Sequence, residues 1–190
     1  MKHTKYAFKV KPKGARVKSS TDMKPDLNTV PEFYLGYIQS VLDDDYLNVL
    51  SNVYADAIKV LNTIPEEKAN YAYAEGKWTI NDILQHIIDS ERIFTYRMVA
   101  ISRGEKQAIL GYDHNDYVTC AKATNRSFDS LLKEYKSLHQ STNDLIASFS
   151  TEMLQMAGNA NGNMIKVIDL IYINGGHQKH HMNVLKERYL

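Results

Sequence analysis

Two histidines near the end of the chain have the spacing at which a single helix can hold a metal ion. His177 and His181 are four residues apart, so on a helix their imidazole rings project side by side from one face. Neutral imidazole is a common ligand of zinc and other transition metals. The same spacing occurs in hydrogen-bonded core histidines and in surface clusters, and His180 offers an i+3 partner instead. The pair indicates a candidate metal site and leaves these alternatives open.

The histidine pair also interrupts the apolar stripe of the last predicted helix. Steps of four and three residues from Leu170 pass through Asn174 and then through both histidines. Buried polar side chains are costly unless they are paired, so these positions need partners or a ligand. Gly175 and Gly176 lie in the same segment. Since glycine inside a helix costs about 1 kcal/mol relative to alanine, they predict close approach of a neighbouring element.

A third histidine lies on an earlier helix. His86 is beside the apolar stripe of that helix, where it could turn toward a neighbour, on a face that it shares with Asp82, Asp89, Ser90 and Arg97. The remaining candidates, His3, His114 and His139, show no spacing that favours metal binding, and we interpret them as surface residues.

Two carboxylates near His86 are candidates for catalysis. Asp89 could orient the His86 ring or act as a base. Glu91 is the weaker candidate, because it falls directly on the apolar stripe. An unpaired carboxylate there would be costly, so we expect Glu91 to pair with Arg92, Arg97 or another polar group.

Four segments have the apolar spacing of helices that bury one stripe, at about 43–64, 79–104, 127–149 and from after Asn163 to the end. Three aspartates suit the positive end of the first segment. Thr79 and Asp82 have the capping-box pattern at the start of the second, and Gly104 closes it. No strand pattern competes. The sequence therefore predicts an all-α four-helix bundle, with long loops at 65–78, 103–126 and 150–163 that are suited to building a site.

Composition supports one folded domain in a reducing compartment. The 190 residues are 44% hydrophobic and 24% charged, with a net charge of +1 and a single cysteine, Cys120. No apolar stretch is long enough to span a membrane, and no apolar region follows the basic N-terminus. We therefore expect a cytoplasmic protein without membrane association.

The first residues differ from the rest. Residues 1–31 are rich in lysine, contain Pro12, Gly14, Pro25 and Pro31, and show no helical period, so we predict an extended or disordered basic arm ahead of a bundle domain at 32–190. A basic arm can bind nucleic acid by neutralising phosphates. This one has no recognition motif, and we interpret it as a solvated tail.

Several motifs together resemble one known family. They are Gly76-Lys77-Trp78-Thr79-Ile80, then His86-x-x-Asp89-x-Glu91-Arg92-Ile93-Phe94-x-Tyr96-Arg97, then Arg103-Gly104, and finally Gly176-His177-x-x-His180-His181-x-Asn183-Val184-Leu185-Lys186-Glu187-Arg188-Tyr189-Leu190. Over residues 32–190 the chain is similar to the DinB-like superfamily, which includes the YfiT-type metal-dependent hydrolases and thiol S-transferases.

This resemblance implies a four-helix bundle whose metal is held by His86, His177 and His181. It implies zinc or nickel, with iron or manganese as alternatives, and a homodimer. Where a function is known, it implies transfer of low-molecular-weight thiols such as bacillithiol or mycothiol.

Our leading hypothesis is a metal-dependent enzyme that transfers such a thiol to an electrophilic small molecule, because the cation would deprotonate a bound thiol. The first alternative is a hydrolase that uses a metal-bound hydroxide. The second is a non-catalytic dimeric bundle that binds metal or a small ligand. We do not expect nucleic acid as a partner.

Overall fold

The computed structural model describes residues 23–190. The predictions for residues 1–22, including most of the basic arm and the surface position of His3, lie outside the described residues. Within 23–31, Pro25 and Val30 are buried, and Met23 and Leu27 pack against the core. The packed part of the chain therefore begins before residue 32, because these apolar side chains find neighbours on the bundle.

The described chain is mainly helical, and the predicted four-helix bundle is confirmed. The elements are α1 (Glu32–Ser40), α2 (Val49–Leu61), α3 (Ile80–Ser102), α4 (His114–Ala121), α5 (Phe128–Ala147), α6 (Thr151–Gln155), β1 (Ala157–Ala160), β2 (Asn163–Lys166) and α7 (Val167–Arg188). The long helices α2, α7, α3 and α5 form a ring in which each contacts the next, and α1 packs against α7 from outside. None of the described helices is both long and apolar enough to cross a bilayer.

Helix α3 begins where its capping signal places it. The Asp82 backbone N–H donates to the Thr79 hydroxyl at 3.1 Å, and the Thr79 N–H donates to the Asp82 carboxylate at 2.9 Å. This reciprocal pair satisfies two backbone donors that a helix start leaves free. The helix ends at Ser102, and Gly104 follows with a φ of +84°. The capping box fixes the register of the helix that carries His86.

The first predicted helix begins later than expected. Residues 43–48 form turns, and α2 starts only at Val49. The Asp45 carboxylate accepts from the backbone N–H groups of Leu47 at 2.9 Å and Asn48 at 3.1 Å. A side chain that takes local backbone donors in this way competes with helix formation. The acidic run therefore makes a turn and does not supply the first turn of the helix.

The expectation that the chain contains no strands was wrong, and the last helix, expected to begin after Asn163, begins a few residues further on because residues 163–166 form a strand. Strands β1 and β2 form an antiparallel hairpin, and α7 starts at Val167. The turn is Asn161-Gly162, with φ of +54° and +77°, the left-handed conformation that favours this dipeptide in tight hairpins. The hairpin holds the loop after α3, because Ile109 exchanges backbone hydrogen bonds of 2.9 Å with Asn159 and Asn161.

The interior consists of two apolar clusters separated by polar residues. One cluster joins α1, the start of α2, the end of α3 and the first half of α7. The other joins the end of α2, the start of α3, α5 and the end of α7. Between them the middle turns of α3 and α7 bury a polar layer, composed of His86, Glu91, Asn174, His177 and Gln178. This layer contains the candidate site.

Candidate metal centre

Three histidines from α3 and α7 converge on one point. The Nε2 atom of His177 lies 3.0 Å from Nε2 of His86 and 3.1 Å from Nε2 of His181. The possible ligand atoms of the three rings are all within 4.8 Å of one another. His86 and His177 are buried and His181 is half-buried. Three nitrogen lone pairs that meet in this way repel one another. A divalent cation bound between them would remove that repulsion by coordinating all three nitrogens.

Aromatic side chains hold these rings in place. Trp78, just before α3, packs against His86 with the ring centroids 4.8 Å apart. His177 makes edge contacts with Tyr37 of α1 at 5.7 Å and with Phe94 of α3 at 5.8 Å. The Nδ1 atom of His177 is buried and has no hydrogen-bond partner among the described residues. Packing therefore sets the orientation of the His177 ring.

Burial keeps the three imidazoles neutral. Burial, with a smaller effect from neighbouring histidines, lowers the pKa of His86 to about 4 and that of His181 to about 3. The pKa of His177 lies well below its usual value for the same reasons. Neutral imidazole is the form that binds a metal ion. All three nitrogens are thus available as ligands at neutral pH.

The donor set fits one transition-metal ion. Among the described residues, no carboxylate or thiolate joins the three histidines. Structural zinc sites use four protein ligands, whereas catalytic sites use three and leave a position for water or substrate. The structure thus provides a three-histidine group that could hold a metal ion. Imidazole suits zinc, nickel, iron and copper alike, and the donor set does not choose between them.

The histidines form one wall of a cavity of about 410 Å³. Residues Phe33, Tyr34 and Tyr37 of α1 and Phe94 and Arg97 of α3 line it, together with Trp78, Tyr112, His114, Asn161 and His180. His114 and His180 are exposed at its mouth, so a small molecule can reach the histidines from solvent. His180 was the alternative partner of the pair, but it faces Tyr37 at a ring distance of 5.7 Å and lies outside the three-histidine group.

Neither predicted carboxylate reaches this cavity. Asp89 accepts a hydrogen bond from Gln85 at 2.9 Å and lies 3.8 Å from Arg92. It has no hydrogen bond to His86 within the described part of the chain. Asp89 lines a different groove, which also contains Cys120. The expected contact between Asp89 and His86 is therefore absent from the described structure.

Glu91 is fully buried and pairs with an amide, whereas neither candidate arginine contacts it. Its Oε2 atom accepts from Nε2 of Gln178 at 2.9 Å, and the Gln178 carbonyl accepts from the Tyr135 hydroxyl at 2.8 Å. Burial raises the pKa of Glu91 to about 7. Glu91 therefore contacts α7 one residue from His177, and its contacts suit positioning of that helix better than attack on a substrate.

His139 was expected at the surface, and that expectation was wrong. The side chain is 4% exposed, and its ring stacks on Tyr54 of α2 with the centroids 3.9 Å apart. Nε2 bonds the Asn143 amide at 2.7 Å, and Nδ1 has no partner within residues 23–190. The apolar stripe of α5 is wider than the periodicity indicated. Burial lowers the pKa of His139 to about 4.

This pKa predicts a loss of stability in acid. The folded protein keeps His139 neutral while the unfolded chain protonates it below about pH 6.5. The free energy of unfolding should therefore decrease as the pH is lowered below about 6.5, and His139 contributes at most about 1.4 kcal/mol per pH unit to this decrease. Urea unfolding of the native protein and of His139→Gln at pH 7.5 and pH 5 measures it. The stability advantage of the native protein over His139→Gln should be smaller by about 2 kcal/mol at pH 5 than at pH 7.5. An equal difference in unfolding free energy at both pH values would contradict the prediction.

The aromatic residues of α1 were not among the predicted site residues. Phe33, Tyr34 and Tyr37 have i, i+1 and i+4 spacing, which identifies an aromatic helix face. That signal is present in the sequence, ahead of the first predicted helix at residue 43. Arg97, predicted on the same face of α3 as His86 and as one possible partner of Glu91, also lines the cavity.

The fold and these side chains together define a class of protein, namely helical bundles with a three-histidine centre on the wall of an aromatic cavity. The sequence profile of the DinB superfamily matches residues 50–185, and the chain belongs to that superfamily. The resemblance seen in the motifs is thereby confirmed.

A solved structure shares the fold. YfiT from Bacillus subtilis, described as a probable metal-dependent hydrolase with an unusual four-helix bundle topology, superimposes with a TM-score of 0.67. The similarity covers 87% of this chain and 90% of that chain, at 18% sequence identity. No curated protein has a significantly similar sequence.

Proposed function

We propose that the protein is a metal-dependent enzyme that transfers a low-molecular-weight thiol to an electrophilic small molecule. His86, His177 and His181 hold one divalent transition-metal ion in this proposal. The observation that carries it is the convergence of three neutral Nε2 atoms on the wall of a cavity open to solvent. A divalent cation held there supplies Lewis acidity, which lowers the pKa of a thiol or a water molecule beside it.

The residues around the cavity favour a thiol as the nucleophile. Among residues 23–190, the lining contains no aspartate or glutamate that could remove a proton from water. A thiol has a pKa near 8.5 and needs little help to ionise, whereas bulk water has a pKa near 15.7. Trp78, Phe94 and Tyr37 provide apolar contact surface for the electrophile and exclude water from it.

Hydrolysis is the second candidate, and one observation favours it. YfiT, which has the same fold, is described as a probable metal-dependent hydrolase. His114 at the cavity mouth is a group that could exchange a proton with solvent in such a reaction. The third candidate is a bundle that binds metal or a small ligand without turnover.

A two-panel assay separates these candidates. Metal-loaded protein is incubated with chlorodinitrobenzene and a panel of cellular thiols, and separately with nitrophenyl esters without thiol. In the first reaction the sulfur bonds to the ring carbon, chloride leaves with its electron pair, and the thiol proton passes to solvent. We expect thiol conjugation that requires metal and disappears in His181→Ala, because that variant lacks one of three ligands.

The control is Lys133→Ala, since Lys133 is exposed on α5 and outside the cavity. It should conjugate at the native rate. His139 cannot serve as the control, because its buried ring supports the fold. Thiol-independent ester hydrolysis that vanishes in His181→Ala would overturn transfer in favour of hydrolysis. If the metal-bound protein is inactive in both panels, the transferase and hydrolase proposals are both wrong, and the protein binds metal or a small ligand without turnover.

A further inference from the structure

We propose that Arg97 is a binding residue for an oxyanion group, a carboxylate or a phosphate, on the small molecule that occupies the cavity. This inference rests on the proposed function, because it concerns the same cavity, and it specifies the substrate class. The substrate would combine an anionic end at Arg97 with a reactive end at the histidines. The inference starts from the Arg97 side chain, for which neither the catalytic proposal nor the packing of the bundle gives a role.

Arg97 is buried without a counter-charge. The residue is 3% exposed, and no described carboxylate lies within ion-pair distance of it. Its Nη2 atom donates one long hydrogen bond, 3.3 Å, to the carbonyl of Leu110, and Nε has no partner among the described residues. A guanidinium carries five N–H donors. Most of its bonding capacity is therefore unused, and an unpaired buried charge is costly unless a ligand compensates it.

Two other arginines of the bundle, Arg92 and Arg126, contrast with Arg97. Arg92 and Arg126 both bond the Glu134 carboxylate, at 2.7 Å and 2.6 Å. The side chains of both are also more exposed than Arg97. Arg92 and Arg126 thus have an acidic partner, whereas Arg97, which is more deeply buried than either, has none within residues 23–190.

The guanidinium faces the same cavity as the metal centre. Arg97 lines that cavity together with the three histidines. The Phe94 ring lies 6.0 Å from the guanidinium carbon of Arg97 and 5.8 Å from the ring of His177. The Phe94 side chain therefore lies between the Arg97 guanidinium and the His177 ring, and a small molecule can contact both groups. The apolar surface of Phe94 would pack against the body of that ligand.

A tyrosine hydroxyl completes the polar end of the cavity. Tyr112 lines it, and its hydroxyl is 2.8 Å from the Ser90 hydroxyl. The loop that carries Tyr112 is held to the hairpin by the backbone bonds of Ile109. A guanidinium fork with a tyrosine hydroxyl in the same cavity matches a planar carboxylate or a phosphate, since both accept parallel N–H bonds. An uncharged ligand would leave Arg97 unpaired.

The test uses the intrinsic fluorescence of Trp78, which is the one tryptophan of the chain and lines the cavity. Benzoate, phenylphosphonate and uncharged benzamide are titrated into the full-length protein, both metal-free and zinc-loaded. We expect the better of the two anions to bind at least about 10-fold more tightly than benzamide, as charge-assisted bonds to a desolvated guanidinium predict. The better anion identifies the oxyanion group. In Arg97→Gln the ratio of the affinity for the better anion to the affinity for benzamide should fall to about one.

Two further variants keep the result interpretable. Arg97→Lys retains the positive charge but lacks the two parallel N–H donors of the guanidinium, so it should keep part of the anion preference. This variant controls for a loss of binding caused by misfolding of Arg97→Gln. Arg103→Gln removes an exposed arginine at the end of α3 that is outside the cavity, and it should bind as the native protein does. An anion preference that survives Arg97→Gln, or that exists only with zinc bound, would overturn the inference. Arg97-dependent binding in the metal-free protein supports it even if no thiol transfer is observed.

Discussion

Alanine at both His177 and His181 is expected to reduce the metal content of the protein from about one transition-metal ion per chain to essentially none. The native centre has three imidazole nitrogens within 4.8 Å of one another, and the double variant keeps only His86. A single imidazole cannot compete with water and buffer for a divalent ion. Elemental analysis after dialysis against a weak chelator gives the stoichiometry.

His180→Ala is the matched control for this measurement. His180 is adjacent to His181 on α7, is exposed, and lies outside the converging group. Its removal changes the same histidine-rich turn without removing a ligand, so metal content should stay at the native level. Stoichiometric metal in the double variant, or its loss in His180→Ala, would place the site elsewhere and refute the assignment.

The sequence predicts the parts of this site that depend on local spacing. The pair His177 and His181 follows from the helical repeat, which brings i and i+4 side chains together. The start of α3 follows from Thr79 and Asp82, because a capping box needs only residues within one turn. These signals locate three ligands on two helices. The apposition of the two helices was inferred from a family resemblance, since spacing within one helix says nothing about its neighbours.

Signals in short segments were harder to interpret. The Asn161-Gly162 dipeptide is a hairpin signal, but its strands are only four residues each and show no clear alternation. The acidic run at 43–45 suits a helix start and a turn equally well, and the Asp45 contacts decide for the turn. Both cases involve competition between local conformations, which packing against the rest of the chain resolves.

Glu91 does not pair with Arg97, which was one of the partners expected for this carboxylate. The two residues are six apart in sequence, which puts them about 120° apart around the axis of α3, on different faces of the helix. In the structure Glu91 points to Gln178 of α7, and Arg97 points into the cavity beside Phe94. The two faces of α3 therefore meet different neighbours. Which neighbour each face meets depends on long-range packing, which a single-helix pattern cannot contain.

Gly176 determines how closely α1 approaches α7. A Cβ atom built on Gly176 would overlap the carbonyl group of Tyr37 and lie 2.7 Å from its Cα atom. At Gly175 the nearest atom to such a Cβ would be Cγ2 of Val49, at 3.1 Å. Backbone atoms cannot move aside as a side chain can. The close approach predicted from the two glycines is therefore confirmed, and at Gly176 it puts Tyr37 against the His177 ring.

Gly176→Ala should consequently destabilise the protein by about 2–4 kcal/mol, despite a gain of up to about 1 kcal/mol in helix propensity. The melting temperature should fall by roughly 5–15 °C. Gly36→Ala is the matched control, because a Cβ at Gly36 of α1 would meet no atom within 4 Å, and it should leave stability unchanged or raise it slightly. Urea unfolding and thermal melts of the metal-free proteins provide the measurement. Native stability in Gly176→Ala would mean that α1 does not lie against the backbone of α7, and the aromatic wall that α1 contributes to the cavity would have to be placed differently.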